Sequence, residues 1–201
     1  MRRFVVHVVC RPHPGLASPP DCGQFNIWPM AVIRPYNGLQ PDIDPEAFVA
    51  ETAALIGSVR VGAGSSIWYG ATLRGDVGSI TVGARTSVQD GCVLHCEHGI
   101  PCVVGDDVTV GHNVTLHGCT VENGAVIGIG ATVLNRAVIG EGAVVAAGAL
   151  VKEGGAVPPG MVAMGVPAKP IREVTDVEKA RFRINAEDYV RLTREFLQSP
   201  G

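Results

Sequence analysis

Three histidines, His95, His112 and His117, stand close together in the chain, preceded by the polar residues Arg74, Asp76, Gln89 and Asp90. Imidazole nitrogens suit Zn2+, Fe2+ and Co2+. Three of them with one open position compose a catalytic zinc site, whereas structural sites close all four positions with protein ligands. A single surface histidine is more often only solvated. The chemistry therefore depends on whether the fold brings these three rings to one point.

The elements that position them are visible as a period. Aliphatic residues recur at every sixth place from Val49 through Leu55, Val61 and Ile67 to Leu73. Three extra residues intervene before Val82, Val88 and Leu94, and four before Val104, Val110 and Leu116. One residue is then missing, and strict sixes run from Val121 to Val157. Glycine often follows the aliphatic (Gly62, Gly83, Gly105, Gly111), and a small residue often sits four places on (Ala53, Ser65, Ala71, Thr86). A hexapeptide period predicts an all-β solenoid, a parallel β-helix in which each repeat supplies a short strand and a turn. Three repeats make one triangular coil, and successive coils stack at the strand spacing of about 4.8 Å.

This frame converts numbering into space. Arg74, His95 and His117 each follow the periodic leucine (Leu73, Leu94, Leu116), so they stack on one face in successive coils. His112 stacks over Asp90 on a different edge. Ligands must approach a zinc ion to about 2.0–2.1 Å, which His112 is poorly placed to do within its own chain. A cyclic homotrimer would bring the second edge of one subunit against the first edge of the next. The metal would then lie between chains, held by His95 and His117 of one subunit and His112 of its neighbour.

Composition narrows the remaining possibilities. Of the 201 residues 46% are hydrophobic and 17% charged, which excludes global disorder. Aromatics reach only 5% beside 26 glycines, as short strands and tight turns require. The net charge of −3 with no basic block argues against nucleic acid or an anionic membrane as partner. No apolar run approaches the roughly 20 residues of a membrane span. The six cysteines are expected to be reduced thiols in a cytoplasmic protein, since a chain this large and apolar needs no disulfide framework. Residues 1–29 lack the hexad and read as a flexible or misassigned extension, with Met30 as an alternative start. Residues 30–170 form the solenoid. Residues 171–201 carry a C-terminal α-helix, opened by a Thr175/Glu178 capping box and bearing Phe182, Ala186, Tyr189, Thr193 and Phe196 on one face.

Arg74-Gly75-Asp76, Gln89-Asp90, His95 and the stretch from Gly111-His112-Asn113 to Leu116-His117-Gly118-Cys119 resemble the motifs of the γ-class carbonic anhydrase family. The match runs from about Met30 to Phe196. It implies a left-handed β-helix, a handedness that the period does not specify and that opposes the usual right-handed crossover. It also implies carbonate dehydratase (lyase) activity, the reversible hydration of CO2 to bicarbonate by a metal-bound hydroxide. By the same resemblance His95, His112 and His117 hold Zn2+, with Fe2+ or Co2+ as alternatives. Arg74 and Asp90 form an intersubunit ion pair, and Asp76 extends that network. Gln89 hydrogen-bonds the metal-bound water, and Asn185 and Tyr189 reach the pocket from the C-terminal helix. The chain departs from the family at Val77, where a glutamate is usual, and in the short segment 96–102, where His98 or Glu97 would have to carry protons. Cys96 and Cys102 flank that segment as thiols expected to be unreactive. Two further functions fit a hexapeptide solenoid. One is a non-catalytic metal-binding trimeric scaffold; the other is an acyltransferase using a CoA thioester, which needs one catalytic histidine rather than three ligand-spaced ones.

Overall fold

The computed structural model describes residues 31–198. The expected extension 1–29, Met30, Cys10 and Cys22 lie outside the described residues. Every periodic aliphatic from Leu55 to Val157 is at most 3% exposed, and Val49 in the first coil is half-buried. One inward side chain per short strand thus fills a continuous column along the axis, and this burial is what holds the coils together. The small residues at the corners are buried as well, because the chain turns there with little room. Two of them are polar but satisfied: Ser65 donates to the Gly83 carbonyl at 2.6 Å, and Thr86 to the Gly105 carbonyl at 2.7 Å.

The strands pair in parallel as the hexad requires. Leu73 lies beside Leu94, and Leu94 beside Leu116. On another face Val88 lies beside Val110. Two faces of the triangle merge into a 12-stranded sheet, because the strands Ala54–Val61 and Thr72–Val82 run continuously round the corner between them. The third face is an 8-stranded sheet. All three interruptions of the hexad fall at that same corner, in three consecutive coils, just after Arg74, His95 and His117.

The last coil ends differently. The strand Met161–Gly165 stacks in parallel on Val144–Val145, but the chain then reverses and Ala168–Glu173 pairs with it antiparallel. The helix Asp176–Gln198 follows. Its capping box forms as expected: the Thr175 amide donates to Glu178 Oε2 at 3.0 Å, and the Glu178 amide to Thr175 Oγ1 at 3.3 Å. The helix lies on the third face and runs back to the first coils, where Tyr189 and Leu192 pack on Phe48, Ala50 and Trp68. Phe196 completes the cluster, its ring 5.0 Å from Phe48 and 5.1 Å from Trp68. Phe182 and Ala186, expected on the same face, instead border a cleft of about 730 Å³ between helix and solenoid. No helix among the described residues is long and apolar enough to cross a membrane.

Candidate metal centre

Arg74, His95 and His117 occupy the stack predicted by the register, each beside the next in parallel strands. The imidazoles of His95 and His117 are tilted at 53° with centroids 5.0 Å apart, and His95 Nδ1 faces His117 Nε2 at 3.0 Å. Asp76 sits beside them, because the extra residues after Arg74 swing its carboxylate over the coil edge. Its Oδ1 lies 3.0 Å from His95 Nε2, and Arg74 donates to its other oxygen. Partial burial works to raise the Asp76 carboxyl, but the hydrogen bonds from His95 and then Arg74 outweigh it and hold the group below the usual carboxylate range.

These partners determine which ring nitrogens carry protons. A carboxylate only accepts, so His95 donates Nε2–H to Asp76 and keeps a lone pair on Nδ1. Asn135 donates its amide N–H to the Glu97 carboxylate, which turns Asn135 Oδ1 toward His117 Nδ1 at 2.6 Å. His117 therefore donates from Nδ1 and keeps its lone pair on Nε2. With both rings neutral, two lone pairs face each other at 3.0 Å, and a metal cation between them would relieve the repulsion. Two ligands on one tetrahedral zinc ion stand about 3.4 Å apart, so a few tenths of an ångström of opening would admit the ion. The donor set fits a metal.

His112 is elsewhere. It follows the strand Thr109–Val110 on the third face, one corner before His117, and its Nδ1 lies 2.8 Å from Asp90 Oδ2. The ring is 39% exposed. Among the described residues no three metal-ligand side chains converge within one chain. Gln89, next to Asp90, is 5% exposed. Tyr189 packs edge-on against Trp68 at 5.6 Å, and burial first, then the negative charge of Asp90, push its phenol above the ordinary value. Asn185, one turn earlier on the helix, is exposed. Within the subunit Arg74 and Asp90 do not meet: Arg74 bonds Asp76 and Asp90 bonds His112.

The sequence reading missed Asn135 and the place of Glu97. Neither position follows from the strand register, since Asn135 reaches His117 diagonally and Glu97 arrives from the loop. The available hint was Gly118, which takes φ of +53° and at which a Cβ would lie 2.6 Å from Asn135 Oδ1. Cys92, Cys96, Cys102 and Cys119 are all buried free thiols, and Cys102 pairs with Cys119 across coils rather than with Cys96. The 730 Å³ cleft touches none of the histidines; it runs along the opposite corner, past Arg85, Asp107 and Gly124.

Known proteins resemble this chain over most of its length. Gamma carbonic anhydrase 3, mitochondrial, from Arabidopsis thaliana is 52% identical over 160 residues, spanning 77% of this chain and 62% of that protein. Carbonic anhydrase from Geobacillus kaustophilus is 41% identical over 159 residues, spanning 79% of this chain and 87% of that protein. Among solved structures, a hexapeptide transferase family protein from Anaplasma phagocytophilum superposes with a TM-score of 0.79 at 43% identity, covering 82% of this chain and 98% of that one. No protein-family model matches the chain.

Proposed function

The chain belongs to the γ-class carbonic anhydrase family, and from that premise we propose that it catalyses the reversible hydration of CO2 to bicarbonate at a metal centre shared between the subunits of a homotrimer. The observation that carries this reading is the facing of His95 Nδ1 and His117 Nε2 at 3.0 Å, each ring bonded on its other nitrogen to Asp76 or Asn135. His112 stands on another corner with its Nδ1 2.8 Å from the Asp90 carboxylate. A threefold arrangement that places the His112 corner of one subunit against the His95/His117 corner of the next supplies the third ligand. A bound Zn2+ would supply Lewis acidity, bringing the pKa of a water from 15.7 to about 7; Fe2+ and Co2+ are accepted by the same donors.

The chain's own groups do the remaining work. Asp76 and the Asn135 amide each engage one ring N–H and so aim the other nitrogen. Arg74, half-exposed beside Asp76, offers a guanidinium to the anionic product. Gln89, buried on the His112 corner, carries an amide that can both donate and accept, which suits orientation of a reacting water. Glu97 is engaged by Asn135, which leaves His98, exposed in the same loop, as the group able to carry a proton to solvent on its ring.

The test is stopped-flow CO2 hydration by protein with one metal per protomer established by elemental analysis. A rate above buffer that disappears in His117→Ala is expected, and full metal content with no rate would overturn the proposal. The transferase family name of the Anaplasma relative favours a second reading, acyl transfer from a CoA thioester. Calorimetric titration with acetyl-CoA separates the two, since the hydration reading expects no heat of binding.

A further inference from the structure

We propose that Asn135 and Glu97 are a positioning pair for His117: together they hold its ring in the one tautomer that leaves Nε2 free for a metal ion. The inference rests on the metal-centre reading above and deepens it. His95 and His112 each meet a carboxylate directly, Asp76 at 3.0 Å and Asp90 at 2.8 Å. A carboxylate has no proton to give, so those two rings have only one way to bond. His117 meets an amide, which can turn over. With its NH2 toward the ring, Asn135 would bond the Nδ1 lone pair and leave the proton on Nε2, where the metal must bind. Glu97 removes that choice. Its carboxylate accepts from Asn135 Nδ2 and so keeps Oδ1 on the ring side, 2.6 Å from Nδ1. The carboxylate that histidine ligands usually require is thus relayed to His117 through an amide.

The surroundings hold the relay in place. Glu97 stands on the loop created by the four extra residues, and its backbone exchanges hydrogen bonds with Ile100 at 3.1 and 2.9 Å, closing a tight turn. Gly118 clears the path, since a Cβ there would meet both Asn135 Oδ1 at 2.6 Å and Ile100 Cγ2 at 3.1 Å. The Arg136 amide bonds the Gly118 carbonyl at 2.7 Å and anchors the backbone beside Asn135.

Two measurements on the full chain test the pair. Nitrogen NMR of the metal-free protein should show His117 protonated on Nδ1, and the Nε2–H form should appear in Asn135→Leu. Competition for zinc against a chromophoric chelator should show affinity lowered about 10–100-fold in Asn135→Leu, with the melting temperature of the metal-free protein unchanged. Glu97→Gln combined with Asn135→Asp exchanges acceptor and donor without breaking the chain of bonds, and should restore affinity to within a few-fold. A purely structural role would not be rescued in this way. If the wild type takes up no zinc, the metal-centre reading fails, and the tautomer measurement still decides the relay. If the wild type binds zinc and Asn135→Leu binds it equally well, or His117 rests as Nε2–H in the wild type, the positioning role is overturned.

Discussion

At the scale of single residues, the site is built by acceptors, Asp76 Oδ1 and Asn135 Oδ1, each of which engages one ring N–H. Asp76 also shows which effect wins: burial opposes its charge, yet two hydrogen bonds to the ionised form hold its carboxyl low. Replacement by Asn keeps the shape but permits the reversed bond, so Asp76→Asn should weaken zinc binding by about tenfold or more in the chelator assay. The thiols behave oppositely. Burial pushes Cys92 up to about 11 and raises Cys96, while the bond to Cys119 and then burial raise Cys102. Thiolate is the nucleophile, so iodoacetamide at pH 8 should leave Cys92, Cys96 and Cys102 unlabelled in the native protein and label all three in urea. Labelling of native Cys96 would show that the loop beside it opens. The stack of Arg74, His95 and His117 was legible in the sequence because strand register is set by counting from one buried aliphatic to the next. The relay was not, because a diagonal contact depends on how a side chain leaves its corner. The Arg74–Asp76 bond was hidden for a related reason: the sheet register shifts between Gly57 and Val59 beside that strand, so side-chain direction there departs from the hexad.

At the scale of elements, the period of six was readable because each strand buries one aliphatic and has no other duty. Leu94 illustrates the coupling of core to site. It is fully buried, and the next residue is His95. Leu94→Ala should cost about 2–5 kcal/mol of stability, measured by urea unfolding of the metal-free protein, and should loosen the His95–His117 stack. The three slips of the hexad are informative in themselves: regularity fails only at the corner that carries Arg74, His95 and His117, where side chains serve chemistry in addition to stacking. The helix was legible through its cap and its apolar face, but only its second half docks, because the aromatic cluster that receives it belongs to the first coils. Bonds from Arg172 first, then from Thr175, hold the Glu178 carboxyl far below its ordinary value. A depressed carboxyl stabilises fully above its unfolded-state value and loses that contribution as pH falls through the folded one. Helix signal in far-ultraviolet circular dichroism should therefore survive through pH 4, and early loss there would refute the cap's contribution.

At the scale of the whole molecule, a shared metal centre makes the assembly testable by mixing. His112→Ala and His117→Ala subunits are each inactive alone under the proposed arrangement. A mixed cyclic trimer always contains one junction at which the intact His95/His117 corner meets an intact His112, and random assembly of equal amounts makes about three quarters of the trimers mixed, so co-refolded protein should regain about a quarter of the wild-type rate. No recovery in confirmed mixed trimers would place all ligands within one chain. The final hairpin has a consequence of another kind. Stacked parallel strands present unpaired backbone at each end, an invitation for a second copy to continue the column. Here the chain doubles back on itself after Met161–Gly165 and covers the end of the third face with a strand of opposite polarity. Head-to-tail growth into fibres needs a parallel landing edge on all three faces, and on this one the molecule has given its own away.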